Sequence, residues 1–290
     1  MAKYRSKGKI SAVTVTIIVL AVIVILLLDV FGKAGNEELV GECEFHFVDV
    51  GQGDCTLIIS DDGVVVIDAG PGDHADSTQK YIKKYTDRID YLILTHPHED
   101  HIGGADVIIE SIMVENIIMS DAYTDTVVFT RLLDVIEAAD INVIEAKSGD
   151  SYTAGSIGFT ILAPISEFTD LNDYSIVTKV EFGDTSAVIT GDVENHSEGL
   201  ILENFSTFSL RSDILQMGHH GSSTSNSNDF IDAVAPKFAV IQCGEGNSYG
   251  HPHRETIEKL EKRGIEYFRT DKLGSIVFTS DGEKVEHVSQ

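Results

Sequence analysis

The sequence predicts an α/β fold in which two β-sheets pack face to face and helices cover their outer sides. Three observations lead there. Short apolar runs rich in Val, Ile, Phe and Tyr recur from Glu42 onward, bounded by Gly, Asp and Pro, which is the pattern of strands. Each half of that body opens on strands and then alternates strands with helices, so each half can supply one sheet and its covering helices. The chain has 290 residues, 42% of them hydrophobic, enough for one large domain with a sizeable core. Periodicity alone does not separate this arrangement from other mixed α/β folds.

In chain order, EFHFVDV (Glu44–Val50) reads as a strand that turns at Gly51-Gln52-Gly53. CTLIIS and VVVIDAG pair as a hairpin about Asp61-Asp62-Gly63. Ser77–Tyr85 has helical character, Tyr91–Thr95 is a short buried strand ending at His96, and a helix starts near His101. A strand at Asn116–Met119 and a helix at Thr126–Ala139 follow. INVIEA, FTILAP, SIVTKVEFG and SAVITGD are the next strands, the last two joined at Gly183-Asp184. Helices are expected at Asn195–Asn204, Asn228–Val234 and Arg254–Arg263, the last with acids before bases as the helix dipole favours. DILQMG reads as a strand that runs to His219 and FAVIQCG as another. IEYFRT and SIVFTS end the chain as strands.

Ahead of this body, Ser11–Leu28 runs for eighteen residues without a charge. At about 1.5 Å per residue it nearly matches a hydrocarbon core of roughly 30 Å. Lys3, Arg5, Lys7 and Lys9 precede it, and the positive-inside rule places such a tail in the cytoplasm. The expected organisation is a cytoplasmic tail (1–10), one transmembrane anchor (11–31), a linker (32–41) and a body (42–290) held outside the cell membrane. The rival is a cleaved signal peptide and a secreted body. It requires an apolar region of about 7–15 residues and a small-x-small site, for which Phe31-Gly32-Lys33-Ala34 is a poor match.

The formal net charge is −26, from 47 acids and 21 bases. Without the N-terminal segment, which holds four bases and Asp29, 46 acids and 17 bases remain, a net −29. Such a field repels polyanions and argues against a passive DNA-binding module, which shows a basic face. It does not exclude an enzyme whose bound cations meet a phosphate. Cys43, Cys55 and Cys243 are too few for a disulfide scaffold and are expected as buried small apolar residues.

LTHPHEDHIGG (Leu94–Gly104) places His96, His98, Asp100 and His101 within six residues at a strand end. His96 and His98 are two apart, so in an extended segment they face one way. Asp100 and His101 come where the chain turns into a helix, which aims them differently. Groups aimed at two neighbouring positions can hold two cations, and imidazole with carboxylate suits zinc, manganese or iron.

This H-x-H-x-D-H run resembles the signature of the metallo-β-lactamase superfamily, and VVVIDAG, VITGD, HHGSS and YGHPH follow in that family's order. The resemblance implies a four-layer αββα sandwich and two divalent cations, Zn²⁺ or Mn²⁺. It implies that Asp68 lies beneath the site and orients a ligand, and that Asp192 is the bridging carboxylate. One site would hold His96, His98 and Asp192; the other would hold Asp100, His101, Asp192 and one His of the HHG pair. Many members carry a further His before the bridging Asp. Here no His occurs between His101 and His196, so a three-ligand site keeps a position open for water or substrate. From about Phe45 onward the chain is also similar to the hydrolase-like domain of the competence DNA-uptake family ComEC, and the HHG subgroup includes secreted phosphorylcholine esterases. With one hydrophobic span, the chain is not expected to translocate DNA as a complete ComEC does.

Resemblance to the esterases selects His220 as the ligand and leaves His219 for phosphate binding or leaving-group protonation. Adjacent strand residues point to opposite sides, so only one ligates unless the strand has ended. His251 is a candidate second acid or substrate contact, Glu194 a candidate orienter of water or a ligand, and Asp100 belongs to the catalytic set as well as to the ligands. Ser222, Ser223 and Asn247 are candidates for binding substrate oxygens. Asn172, Asp173 and Ser175 either line the place of the missing His or form an ordinary turn. Asp49 and Asp54 are expected to bond the backbone of the Gly-rich turn. His46 is expected in the core or at an edge, and His74, His196, His253 and His287 at the surface.

The expected function is that of a membrane-anchored extracellular phosphodiesterase acting on DNA or RNA through a metal-activated water. The alternatives are a hydrolase of another exported substrate (a choline phosphodiester, a lactone or a β-lactam) or a non-catalytic, metal-stabilised surface module. The complete Asp100/His101/Asp192 set speaks against the last.

Overall fold

The computed structural model describes residues 41–289. The expected tail, the anchor and all but the last residue of the linker lie outside the described residues, and among those described no helix is long and apolar enough to cross a membrane.

The strands are β1 (Cys43–Phe47), β2 (Thr56–Ile59), β3 (Val64–Ile67), β4 (Arg88–Leu94), β5 (Met113–Met119), β6 (Asn142–Glu145), β7 (Ser151–Ala154), β8 (Ile157–Ala163), β9 (Val177–Phe182), β10 (Thr185–Ile189), β11 (Ile214–Gln216), β12 (Phe238–Ile241), β13 (Glu266–Arg269), β14 (Ile276–Ser280) and β15 (Val285–Val288). They form two sheets, ordered β15-β14-β1-β2-β3-β4-β5-β6 and β13-β12-β11-β10-β9-β8-β7. The helices are α1 (Ala75–Lys83), α2 (Glu99–Ile102), α3 (Ala105–Ser111), α4 (Val127–Ala139), α5 (Asn195–Asn204), α6 (Thr207–Leu210), α7 (Asn228–Val234), α8 (Arg254–Arg263) and α9 (Thr270–Leu273).

Side-chain alternation along the strands builds the layers. Phe45, Phe47, Ile58, Val65, Ile67 and Ile93 of the first sheet meet Phe159, Ile161, Val180, Ile189 and Val240 of the second in a central core. The alternate residues Leu57, Val64, Val66, Leu92 and Leu94 face outward onto Ile82, Ile108 and Leu132 of α1, α3 and α4. On the far side Val188, Leu215 and Ala239 pack against Ile201, Phe230 and Leu260 of α5, α7 and α8. The result is the expected four-layer helix–sheet–sheet–helix sandwich. His46 points away from the central core, as its position between Phe45 and Phe47 requires, and bonds Tyr81 and Glu44.

Three expectations shift. The Glu44–Val50 strand stops at Phe47. The strand read as running to His219 stops at Gln216, and Gly218–Gly221 is a tight turn with His219 and His220 both left-handed (φ 52° and 53°). β7 and β15 had no apolar run to reveal them; SYTA and VEHV are half-exposed edge strands recruited by their hairpin partners β8 and β14.

β3, β4 and β5 run parallel, as do β10, β11 and β12. Their carboxyl ends meet along one edge of the sandwich, the position where open α/β sheets place ligands. Deep in the central core, Phe278 packs edge-on to Phe47 (6.2 Å between centroids) and against Phe238 (5.1 Å). Phe278→Ala is expected to cost about 3–5 kcal/mol, read as a lower urea midpoint at unchanged m value; a cost below about 1 kcal/mol would contradict this packing.

Candidate metal centre

The His cluster lies where β4 ends. The chain bends at His96 and Pro97, His98 stands at the N-cap of the single turn α2, and Asp100 and His101 lie inside that turn. Asp192 follows β10, and His220 follows β11. Their ligand atoms gather in two overlapping groups, Asp100/His101/Asp192/His220 and His96/His98/Asp192, each spanning less than 4.8 Å. In the first group His101 Nε2 lies 3.2 Å from Asp192 Oδ1, and His220 Nε2 lies 3.6 Å from the same oxygen and 3.2 Å from Asp100 Oδ2. In the second, His96 Nε2 lies 2.9 Å from His98 Nδ1 and 3.9 Å from Asp192 Oδ2. Donors bound tetrahedrally to one ion at ~2.0–2.2 Å sit roughly 3.3 Å apart, so this spacing is that of chelation. Asp192 places one oxygen in each group.

The surroundings decide which imidazole nitrogen faces inward. His101 Nδ1 is 2.7 Å from Asp68 Oδ2, while Asp68 also accepts from Thr95 N and Thr95 Oγ1. His220 Nδ1 donates to the Gln242 carbonyl at 3.0 Å and lies 3.2 Å from Asp54 Oδ1. His96 Nδ1 is 3.2 Å from Thr95 Oγ1 and 3.3 Å from Ser175 Oγ. With Nδ1–H spent in each case, all three rings turn the lone pair of Nε2 toward Asp192. His101 Nε2 and Asp192 Oδ1 are buried and have no hydrogen-bond partner. A buried carboxylate facing three such nitrogens, His101 and His220 on Oδ1 and His96 on Oδ2, is costly unless a cation lies between them, so the donor set fits the metals that the sequence implies.

Charge is concentrated here. Burial opposes ionisation of Asp192, but the charges of His220 and His101 hold its pKa well below the carboxylate range. Burial likewise opposes charging of His101 and His220, and the surrounding carboxylates, Asp192 first, raise both well above an ordinary imidazole. Burial and then the His101 charge push His96 well below it. Without a cation, protons occupy the Asp100/His101/Asp192/His220 group through His101 and His220.

Asp54 is the supporting residue that sequence reasoning missed. Asp49 does bond the turn, accepting from Gly51 N. Asp54 instead is buried beside His220, with Oδ2 accepting from Gln216 Nε2 at 2.7 Å. Gln216 Oε1 in turn accepts from Thr190 N and Gly191 N, just before Asp192, and Gln216 Nε2 also reaches Gln242 Oε1. Two glutamines in otherwise apolar strand segments were the available signal. Gly191 adopts φ 53°, and a Cβ there would lie 2.9 Å from Thr95 Oγ1, so the loop carrying Asp192 can settle against the His cluster only as glycine.

Because the strand has ended, both histidines of the HHG pair reach the centre from different sides. His220 joins Asp100 and Asp192. His219 Nε2 lies 3.7 Å from Asp192 Oδ2, and its Nδ1 lies 3.2 Å from Glu194 Oε1. Glu194 thus orients His219. His251 lies in the same cavity, and burial together with nearby His220, His219 and His253 lowers its pKa to about 4. It is neutral at pH 7, which suits a substrate contact and not an acid. Three expected substrate contacts lie off the cavity lining or are bonded elsewhere. Ser222 is buried and bonded to Thr224, Ser223 is exposed with its amide on His253, and neither lines the cavity. Asn247 spends its side chain on the Gly244 and His251 carbonyls and the His251 amide. Ser175 Oγ lies 3.3 Å from His96 Nδ1 and accepts from Asp192 N, and Asn172 lines the cavity. The three cysteines are free and buried.

The family model described as the metallo-beta-lactamase superfamily matches residues 48–245. The chain belongs to the metallo-β-lactamase superfamily. Its fold and donor set are those of a metal-dependent hydrolase. Within the superfamily it is 29% identical over 261 residues to ComE operon protein 3 of Bacillus subtilis, covering 83% of this chain and 33% of that protein. It is 29% identical over 226 residues to Recombination protein 2 of Haemophilus influenzae, covering 74% and 26%. The chain thus spans a third or less of the curated relatives it matches. Among solved structures, the metallo-β-lactamase fold protein YhfI of Bacillus subtilis aligns with a TM-score of 0.56 at 15% identity, covering 83% of this chain and 100% of that one.

Two outcomes are expected of this centre. Asp54→Asn should weaken Zn²⁺ binding by about 10–100-fold in a competition titration, while Asp49→Asn, exposed on the same loop, leaves it unchanged; equal affinities would remove the role given to Asp54. Because His101 and His220 are raised, their protons compete with metal near neutrality. Zn²⁺ affinity should therefore increase as pH rises, with net proton release measured by calorimetry in buffers of different ionisation enthalpy. Uptake of protons would contradict the assigned charges.

Proposed function

We propose that this chain hydrolyses phosphodiesters of nucleic acid outside the cell, held there by the 11–31 segment. The observation that carries the reading is His219, placed beside Asp192 and anchored through Glu194, at the rim of a cavity of about 320 Å³ over both donor groups. When bound, divalent cations ionise a water at neutral pH and set positive charge against phosphate oxygens.

The chain's own residues supply the rest. Asp192 would be shared by the two positions, with His96 and His98 on one side and Asp100, His101 and His220 on the other. Asp68, Asp54, Thr95 and Ser175 fix the tautomers of those ligands. Glu194 fixes His219 Nδ1, which leaves Nε2 to hold a proton for a departing oxygen. The acidic body would otherwise repel a phosphate, so the local positive charge must come from the bound cations. The similarity to a protein named Recombination protein 2 supports nucleic acid as the substrate. A choline phosphodiester would use the same chemistry.

The test is turnover by the purified full chain of DNA, RNA, a choline phosphodiester, a bis-aryl phosphodiester and a β-lactam, with Zn²⁺ or Mn²⁺ and after chelation. Metal-dependent cleavage of nucleic acid and the aryl diester is expected, lost by about 10²-fold or more in His96→Ala and in Asp192→Ala. Nuclease activity that survives both substitutions would remove the proposed site.

A further inference from the structure

The cavity over the donor cluster continues into a second one, of about 490 Å³, lined by Gln52, Pro71, Asp73, His74, Glu99, Asp100 and Tyr249. Tyr249 lines both cavities. It is 65% exposed, among the most exposed large side chains described. Exposure of a single ring is ordinary; what sets Tyr249 apart is that it lines both cavities beside the donor cluster.

Its setting is that of a platform. One face stacks on the His251 imidazole, with centroids 5.7 Å apart and planes 23° from parallel. The loop beneath is fixed by Asn247, which bonds both ends of the Gly244–His251 segment. The ring is therefore backed and held at the junction between the scissile position and the side cavity.

No Lys or Arg lines either cavity among the described residues. The side cavity has nothing to track a phosphate backbone with. Its carboxylates are committed: Glu99 Oε1 accepts from Gly72 N at 2.8 Å, Asp73 Oδ1 holds His74 Nδ1 at 2.8 Å, and Asp100 belongs to the donor cluster. A cation-binding cage would need several aromatic walls and free carboxylates. A single backed ring instead suits a flat partner.

We propose that Tyr249 stacks on an unpaired nucleobase of the nucleotide next to the scissile phosphate, making the substrate a single strand. The inference rests on the phosphodiesterase proposal above. A base in a duplex has both faces covered by its neighbours, so only a splayed base can meet the ring.

The test is a cycle on the full chain. Single-stranded hexanucleotides carrying one abasic sugar at each position in turn are cleaved by wild type, Tyr249→Phe and Tyr249→Ala. With wild type, one abasic position should lower kcat/KM by roughly 5- to 150-fold, which converts to about 1–3 kcal/mol at 1.4 kcal/mol per tenfold. Tyr249→Ala should lose as much on the intact oligomer and nothing further at that abasic position, while Tyr249→Phe stays near wild type. Additive losses, or Tyr249→Ala cleaving the intact oligomer at the wild-type rate, would overturn the platform and leave the phosphodiesterase proposal standing. Tyr249→Ala that slows only a choline phosphodiester would assign the ring to a cation instead. No turnover of any oligomer by wild type would overturn both.

Discussion

Everything in the described fold turns on one buried carboxylate, Asp192, faced by imidazole nitrogens whose partner ring nitrogens are spent on other neighbours. His96, His101 and His220 each spend Nδ1–H on a neighbour, and each presents the lone pair of Nε2 inward. Lone pairs on nitrogen and oxygen brought this close repel, and burial removes the water that would separate them. Protons can relieve the conflict, which is why His101 and His220 are so strongly raised. A divalent cation relieves it better, because one ion satisfies several donors at once.

Holding such an arrangement requires that the two sheets keep fixed positions. The His cluster comes from the first sheet and Asp192 and His220 from the second, so any sliding would separate the two donor sets. The Gln216–Gln242 pair acts as the tie. Gln242 Nε2 donates to the Val48 and Cys55 carbonyls of the first sheet's connection, and Gln216 joins Asp54 to the turn before Asp192. Within the first sheet, Gly53 lets the β1–β2 connection settle against the His cluster, since a Cβ there would run into the Asp100 carbonyl. The network also leaves Asp54 Oδ1 buried 3.2 Å from His220 Nδ1, so it couples the tie between the sheets to the donor cluster.

The sequence made the ligands legible because they sit in short local patterns. The spacing from His96 to His101 and the strand-end Asp192 survive folding unchanged, and so does the layered architecture, which alternation along the strands dictates. What it hid depends on distance and on backbone hand. Asp54 acts through Gln216, 162 residues away. Ser222 and Ser223 looked close to the ligands because they follow HHG, but the left-handed turn at His219 and His220 carries them out of the cavity. Asn247 looked like a substrate contact because an amide can bond anything, and only the loop's closure shows what it bonds. Ser175 is one of three residues before β9 that could either line the site or form a turn, and only the fold shows that it bonds Asp192 N.

The central claim is that two ions lie on either side of Asp192. Anomalous diffraction from crystals of the metal-loaded protein, recorded at the absorption edge of the added metal, addresses it directly. The account predicts two peaks within about 4 Å of each other, one against His96 and His98, the other against Asp100, His101 and His220, with one Asp192 oxygen reaching each. A single peak away from Asp192, or none at full metal excess, would contradict it.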